Sequence, residues 1–131
     1  MENTKKTKIV ILIPCFNEET TIGKVIQDFK SAIPEAGIVV FDNNCTDRTV
    51  EIAKNSGAEI IKEPRQGKGY VVDSMFQKVD ADFYVLVDGD DTYSAKDVRK
   101  LLEPVMENHA DMVVATRFSE YTENSFRPMH V

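Results

Sequence analysis

Three short polar clusters carry the residues best suited to chemistry in this 131-residue sequence: Pro14-Cys-Phe-Asn-Glu-Glu19, Asp42-Asn-Asn-Cys-Thr-Asp47 and Asp88-Gly-Asp-Asp91. The last is the sharpest. Asp88 closes an apolar run, and Asp90 stands two residues further on. Positions i and i+2 of an extended chain lie on one side, so two carboxylates face the same place. They repel unless a cation bridges them or one is protonated. Magnesium fits, because it takes one or two carboxylates and completes its octahedron with water and phosphate oxygens. Gly89, between them, lets a ligand approach the backbone. The chemistry predicted is capture of a metal-bound diphosphate.

Competing readings of these residues fail on spacing. An EF-hand loop starting at Asp88 needs Gly sixth and Glu twelfth, where Tyr93 and Arg99 stand. Gly67-Lys-Gly69 lacks the GxxxxGK[ST] frame of a P-loop. The serious rival is a haloacid-dehalogenase-type phosphatase, whose DxDGT follows an apolar strand. Asp88-Gly-Asp-Asp-Thr92 nearly matches it, but Asp91 replaces the glycine. Cys15 and Cys45 form no CxxC pair and no zinc spacing with His109 or His130. They read as reduced thiols of a cytoplasmic chain.

The elements that must position these clusters follow from periodicity. Lys8–Ile13 is a continuous apolar strand ended by Pro14, and Ile22, Val25, Ile26, Phe29 and Ile33 form a helical stripe after it. Gly37–Phe41 is a second strand. A helix near 47–56 turns Val50 and Ala53 inward and is capped by Gly57. Ala58–Lys62 is a third strand, Pro64–Gly69 a loop, and Val71, Val72, Met75, Phe76 and Val79 another stripe. Phe83–Val87 is the fourth strand. Ser94-Ala-Lys-Asp97 is a capping box for a helix carrying Val98, Leu101, Leu102, Val105 and Met106, kinked or broken at Pro104. Met112–Thr116 is a fifth strand. The βαβαβαβαβ order predicts an α/β fold: a mostly parallel sheet, helices on both faces, right-handed crossovers. Ligands of such sheets bind beyond the carboxyl ends of the strands, where the three clusters would converge.

Composition narrows the partners. Sixteen basic against 22 acidic residues leave a net charge of −6, which argues against broad nucleic-acid binding. The apolar run after Lys5, Lys6 and Lys8 is too short for a signal peptide, and no stretch reaches the length of a membrane span.

Ile13-Pro-Cys-Phe-Asn-Glu-Glu19, Phe41-Asp-Asn-Asn-Cys-Thr-Asp-Arg-Thr49, Glu63-Pro-Arg-Gln-Gly-Lys-Gly69 and Val87-Asp-Gly-Asp-Asp91 stand in the order seen in family 2 glycosyltransferases. The chain resembles these inverting, nucleotide-sugar-dependent GT-A enzymes, and most of all their polyprenyl-phosphate (dolichyl-phosphate mannose synthase-like) branch. The resemblance spans residues 8 to about 117. It implies a GT-A, Rossmann-like three-layer sandwich with a nucleotide-sugar-binding domain over 8–117, after a flexible N-terminus at 1–7. Residues 118–131 would begin an acceptor region that is missing from the chain.

By the same resemblance Pro14, Phe16 and Glu18 match the loop that holds the nucleoside, and Asp42 the acidic residue that reads the base edge. Arg65 and Lys68 match the basic loop near base and diphosphate. Asp88, Gly89 and Asp90 match the DxD motif, with Asp90 the direct ligand of Mg2+ or Mn2+ and Asp88 facing the ribose or the ligand's surroundings. Asp91 would add a further carboxylate beside that pair, and Arg117 follows the fifth strand, where the family often has a basic residue. Residue by residue, blander roles compete. Arg65 and Lys68 suit solvated loop charges, Glu18 and Glu19 a helix N-terminus, and Phe16 core packing.

The implied reaction is transfer of a sugar from a nucleoside diphosphate sugar to an acceptor, a polyprenyl phosphate or a glycan, with the catalytic base beyond residue 131. The alternative is a nucleotide-sugar-binding module without turnover. Membrane contact would come only through segments absent from this chain, at the cytoplasmic face. A cut core surface admits a homodimer.

Overall fold

The computed structural model describes residues 7–89, 94–107 and 113–115. Along them run β1 (Ile9–Cys15), α1 (Ile22–Ala32), β2 (Gly37–Asp42), α2 (Thr49–Asn55), β3 (Glu59–Lys62), α3 (Lys68–Lys78), β4 (Phe83–Leu86), α4 (Ala95–Glu107) and β5 (Val113–Ala115). The strands form one sheet in the order β3-β2-β1-β4-β5, and every pairing is parallel.

β1 reads as an unbroken apolar run because both its faces are covered. Ile9, Ile11, Ile13 and Cys15 join a core with α1, α2 and α4. Val10 and Leu12 join a second core, on the opposite face, with Val71 and Met75 of α3. β2 alternates in the same way, Ile38 and Val40 to one side, Val39 and Phe41 to the other. Truncating a fully buried isoleucine or leucine, such as Ile11 or Leu12, to alanine would cost about 2–5 kcal/mol.

Four expectations are corrected. β1 continues through Pro14 to Cys15 and does not end at Ile13. The proline is tolerated because of where its missing N–H would lie. β1 pairs with β4 only from Ile9 to Leu12, and the Val87 N–H bonding to the Leu12 carbonyl at 3.0 Å closes that edge. Pro14, two residues on, faces the same side past the end of the ladder, so no bond is lost. α3 starts at Lys68, taking Lys68 and Gly69 out of the loop. In α2 Thr49 and Ala53 turn inward, while Val50 is only half-buried. α4 runs through Pro104 without a break, and of its stripe Val98 and Leu102 are buried while Leu101 is exposed.

The hands of the crossovers also differ from expectation. The first two connections step toward β3 with their helices on one face, and the third steps back to β4 with α3 on the other, so these three share a hand. α4 steps the same way as α3 yet packs on the face of α1, where Ala95, Val98 and Leu102 share a core with Ile22 and Phe29. Its hand is therefore the reverse. On that face α4 shares a core with Phe83, Val85 and Val87 of the β4 segment, against the usual rule of hand.

β1 is the strand from which the chain builds outward in both directions, so the reversal point of the sheet lies between β1 and β4. In open α/β sheets that is where ligands bind.

Candidate functional site

The carboxyl ends of β2, β1 and β4 bring the loops of the three clusters to one rim. Cys15 and Asp42 are register partners, so the ends of β1 and β2 lie side by side. From the end of β1, Asn17 adopts a positive φ of 58°, a conformation asparagine tolerates. Its Oδ1 accepts from the Thr46 N–H at 2.8 Å and the Asp47 N–H at 3.3 Å. The Glu18 N–H donates to Thr49 Oγ1 at 2.8 Å, and the Thr49 hydroxyl donates to Asp47 Oδ1. The first and second loops are thereby tied together. Burial pushes the Asp47 carboxyl up, but hydrogen bonds from Thr49 and the Glu19 N–H outweigh it and hold the group below its ordinary range.

Asp42 is buried, and both its oxygens are engaged. Oδ1 accepts from the Cys45 N–H at 2.8 Å, and Oδ2 lies 3.6 Å from Lys62 Nζ. The next residue, Asn43, ties down the β3–α3 loop. Its Nδ2 donates to the carbonyls of Glu63 (2.8 Å) and Arg65 (2.9 Å). Its Oδ1 accepts from the Gly67 N–H (3.0 Å) and Gln66 Nε2 (3.2 Å). All four hydrogen-bonding positions of this buried amide are filled. Asn44 adds bonds to the Pro64 carbonyl and the Gln66 side chain.

Within that loop Glu63 is buried, and it binds Arg65 at two points, Nε to Oε2 at 3.0 Å and Nη2 to Oε1 at 3.1 Å. This side-chain pairing, with the Arg65 N–H, holds the Glu63 carboxyl down at about 2. The guanidinium lies over the Tyr70 ring, 4.7 Å from its centroid.

On the other side of the reversal point, Lys68 Nζ reaches Asp88 Oδ1 at 2.9 Å, joining the start of α3 to the end of β4. The Thr21 hydroxyl, at the head of α1, does not cap its own helix but donates to the Gly89 carbonyl. Gly89 is packed against β1: a Cβ there would sit 3.0 Å from Cys15 Sγ and 3.4 Å from Glu18 Cγ. A side chain at this position would make the Cys15 and Glu18 side chains give by a few tenths of an ångström.

Of the residues expected at a site, Pro14, Glu18, Asp42, Arg65, Lys68, Asp88 and Gly89 stand at this rim, and Phe16 is there with 51% of its surface exposed. That exposure replaces core packing as its role. Asp90 and Asp91 lie outside the described residues, as do His109, Arg117 and the tail from 118. Among the described residues no three His, Cys, Asp or Glu gather as a metal cage. Of the two aspartates expected to hold a metal, Asp88 is the one among the described residues, and it stands at the rim with Oδ1 on Lys68 Nζ; magnesium needs only one or two carboxylates. Cys15 and Cys45 are free thiols, and burial pushes both up in pKa.

Sequence reasoning assigned no role to Asn43, Glu63, Tyr70 or Thr21. Asn43 and Glu63 stand inside quoted clusters, and the signal available for both was a polar residue directly after a strand.

A three-layer α/β sheet with an acidic rim at its reversal point defines a GT-A, Rossmann-like class. The chain belongs to glycosyl transferase family 2, whose family model matches residues 10–131. This removes the phosphatase reading. Protein RfbJ of Shigella flexneri is 48% identical over 122 residues, covering 93% of this chain and 95% of that protein. Glycosyltransferase AglJ of Haloferax volcanii is 35% identical over 113 residues, 86% of this chain and 37% of its own. A dolichyl-phosphate hexose transferase of the same organism is 30% identical, over 88% of this chain and 50% of its own.

Among solved structures, glucosyl-3-phosphoglycerate synthase from Mycobacterium tuberculosis, in complex with Mn2+, UDP and glucosyl-3-phosphoglycerate, superposes with a TM-score of 0.68. It is 26% identical, over 76% of this chain and 39% of its own. The chain thus spans nearly all of RfbJ but half or less of the other three proteins named. Among the described residues no helix is long and apolar enough to cross a membrane.

Proposed function

We propose that this chain forms the donor-binding part of a glycosyltransferase that moves a sugar from a nucleoside diphosphate sugar with inversion. The observation that carries the reading is the convergence of three loops at the reversal point, with Lys68 bound to Asp88 across it at 2.9 Å. In this reading Pro14, Phe16 and Glu18 hold the nucleoside, and Glu18 accepts from ribose hydroxyls. Asp42 reads the base edge from the floor of the site. Arg65 and Lys68 supply donors to base and diphosphate. Asp88 and Asp90 hold Mg2+ or Mn2+. When bound, the ion supplies positive charge against the leaving diphosphate. The Mn2+ and UDP of the mycobacterial synthase complex support the metal and donor classes.

The acceptor proposed is a polyprenyl phosphate. Its support is the motif resemblance and the kinship with a dolichyl-phosphate hexose transferase. A phosphate acceptor attacks already ionised and needs little help from a base.

A thermal-shift panel of nucleoside diphosphate sugars, with and without Mn2+, tests the reading, since a ligand stabilises in proportion to the logarithm of its concentration over Kd. Metal-dependent stabilisation is expected, and it should vanish in Asp90→Ala with the fold intact. Unchanged binding by that variant refutes the metal assignment. Sugar transfer to a polyprenyl phosphate, assayed alongside, separates an enzyme from a binding module without turnover.

A further inference from the structure

Glu63 presents an imbalance that the proposed donor site does not use. Its side chain is 2% exposed, while that of its partner Arg65 is 52% exposed. Burying a carboxylate carries a desolvation cost of several kcal/mol, and here the buried charge holds a group at the surface. A loop that only needed packing would be served as well by an apolar residue. The grip is also directional. Glu63 takes Arg65 by the Nε and Nη2 edge and accepts the Arg65 backbone N–H as well. Of the five donors on a guanidinium, this leaves three, the second of Nη2 and the two of Nη1. The Tyr70 ring closes one face of the plane, and Asp73 lies 3.8 Å from Nη2. Pro64, between acid and base, fixes its own φ and stiffens the short span that joins them.

We propose that Glu63 is a positioning residue, which locks the Arg65 guanidinium against Tyr70 so that Arg65 meets the nucleotide as a rigid donor with its charge already balanced. The inference rests on the donor-binding reading for its consequence, but its geometric content does not. Arg65, so compensated, contributes hydrogen-bond direction more than net charge, and a side chain already immobilised loses less entropy when a ligand arrives.

A double-mutant cycle separates this role from a merely structural one. Binding of uridine diphosphate and of guanosine diphosphate, each with Mn2+, is measured by calorimetry for the native chain, Glu63→Gln, Arg65→Ala and the double variant. Glu63→Gln should weaken binding by roughly fivefold or more, about one hydrogen bond's worth, and Glu63→Asp should recover part of the loss. In the Arg65→Ala background the same change should leave Kd within about twofold. Equal weakening in both backgrounds, or none in the native one, overturns the proposal.

The second measurement needs no ligand: side-chain 15N relaxation of Arg65 Nε. It should be as rigid as the backbone in the native chain and mobile in Glu63→Gln. Equal mobility in the two overturns the proposal whether or not any nucleotide binds. Absence of binding by the native chain, with Arg65 rigid, overturns the donor-binding reading instead.

Discussion

The two halves of the rim are held by different forces. Beyond β2 and β3, neutral amides do most of the fastening, beside the Glu63–Arg65 pair: Asn43 fills four positions in the β3–α3 loop, and Asn17 spans from the first loop to the second. Beyond β4, the contact that crosses to α3 is ionic, between a half-exposed Lys68 and Asp88. Amide bonds of buried groups are indifferent to salt and to pH. An ion pair in contact with water is screened and contributes little. The comparison teaches that the β2–β3 half is fastened mainly through a buried amide, while the contact of the β4 half with α3 is an ion pair within reach of water.

The strongest way to break that contrast is Asn43→Ala. It strips partners from two carbonyls and one N–H, each costing about 1–3 kcal/mol if left unsatisfied in the interior. Urea unfolding should show a loss of that order, and a loss below the cost of a surface substitution would deny the loop its pin. Smaller is the acid response. Glu63 sits near 2 in the folded chain against an ordinary value of 4.5. Its stabilisation is therefore complete above about pH 4.5 and lost as pH falls toward 2. Melting temperatures followed from pH 5 to pH 2 should decline less steeply in Glu63→Gln than in the native chain. Parallel curves would remove Glu63 from the account. The smallest effect is expected from Lys68→Met, which should change stability by no more than about 1 kcal/mol while reducing the salt dependence of diphosphate binding. A large loss of stability there would make the β4 half as firmly fastened as its neighbour.

Much of the fold was legible because strand and helix periods are local. The apolar run of β1 and the Ile22-to-Ile33 stripe could be read within a dozen residues, and parallel order followed from their alternation. The carboxyl-edge location of Asp42 and Asp88 came from the same rule. What stayed hidden depends on partners distant in sequence. Asn43 meets Glu63 and Arg65 twenty and more residues away, and no period records such a contact. The hidden role of Thr21 has the same origin, since its hydroxyl reaches Gly89. Glycines at 67 and 69 disguised the first turn of α3, and the reversed hand of α4 runs against the usual rule. Asp90, on which the metal reading leans most, lies outside the described residues.

Pro14 carries a consequence of its own. Strands that run parallel tend to fasten along their whole length, and a β1 fastened to β4 beyond Leu12 would carry the ladder on toward Asp88. A ring on the backbone nitrogen denies that seam its next stitch. The two strand ends need no ligand to part them, because the parting is written into the covalent chain.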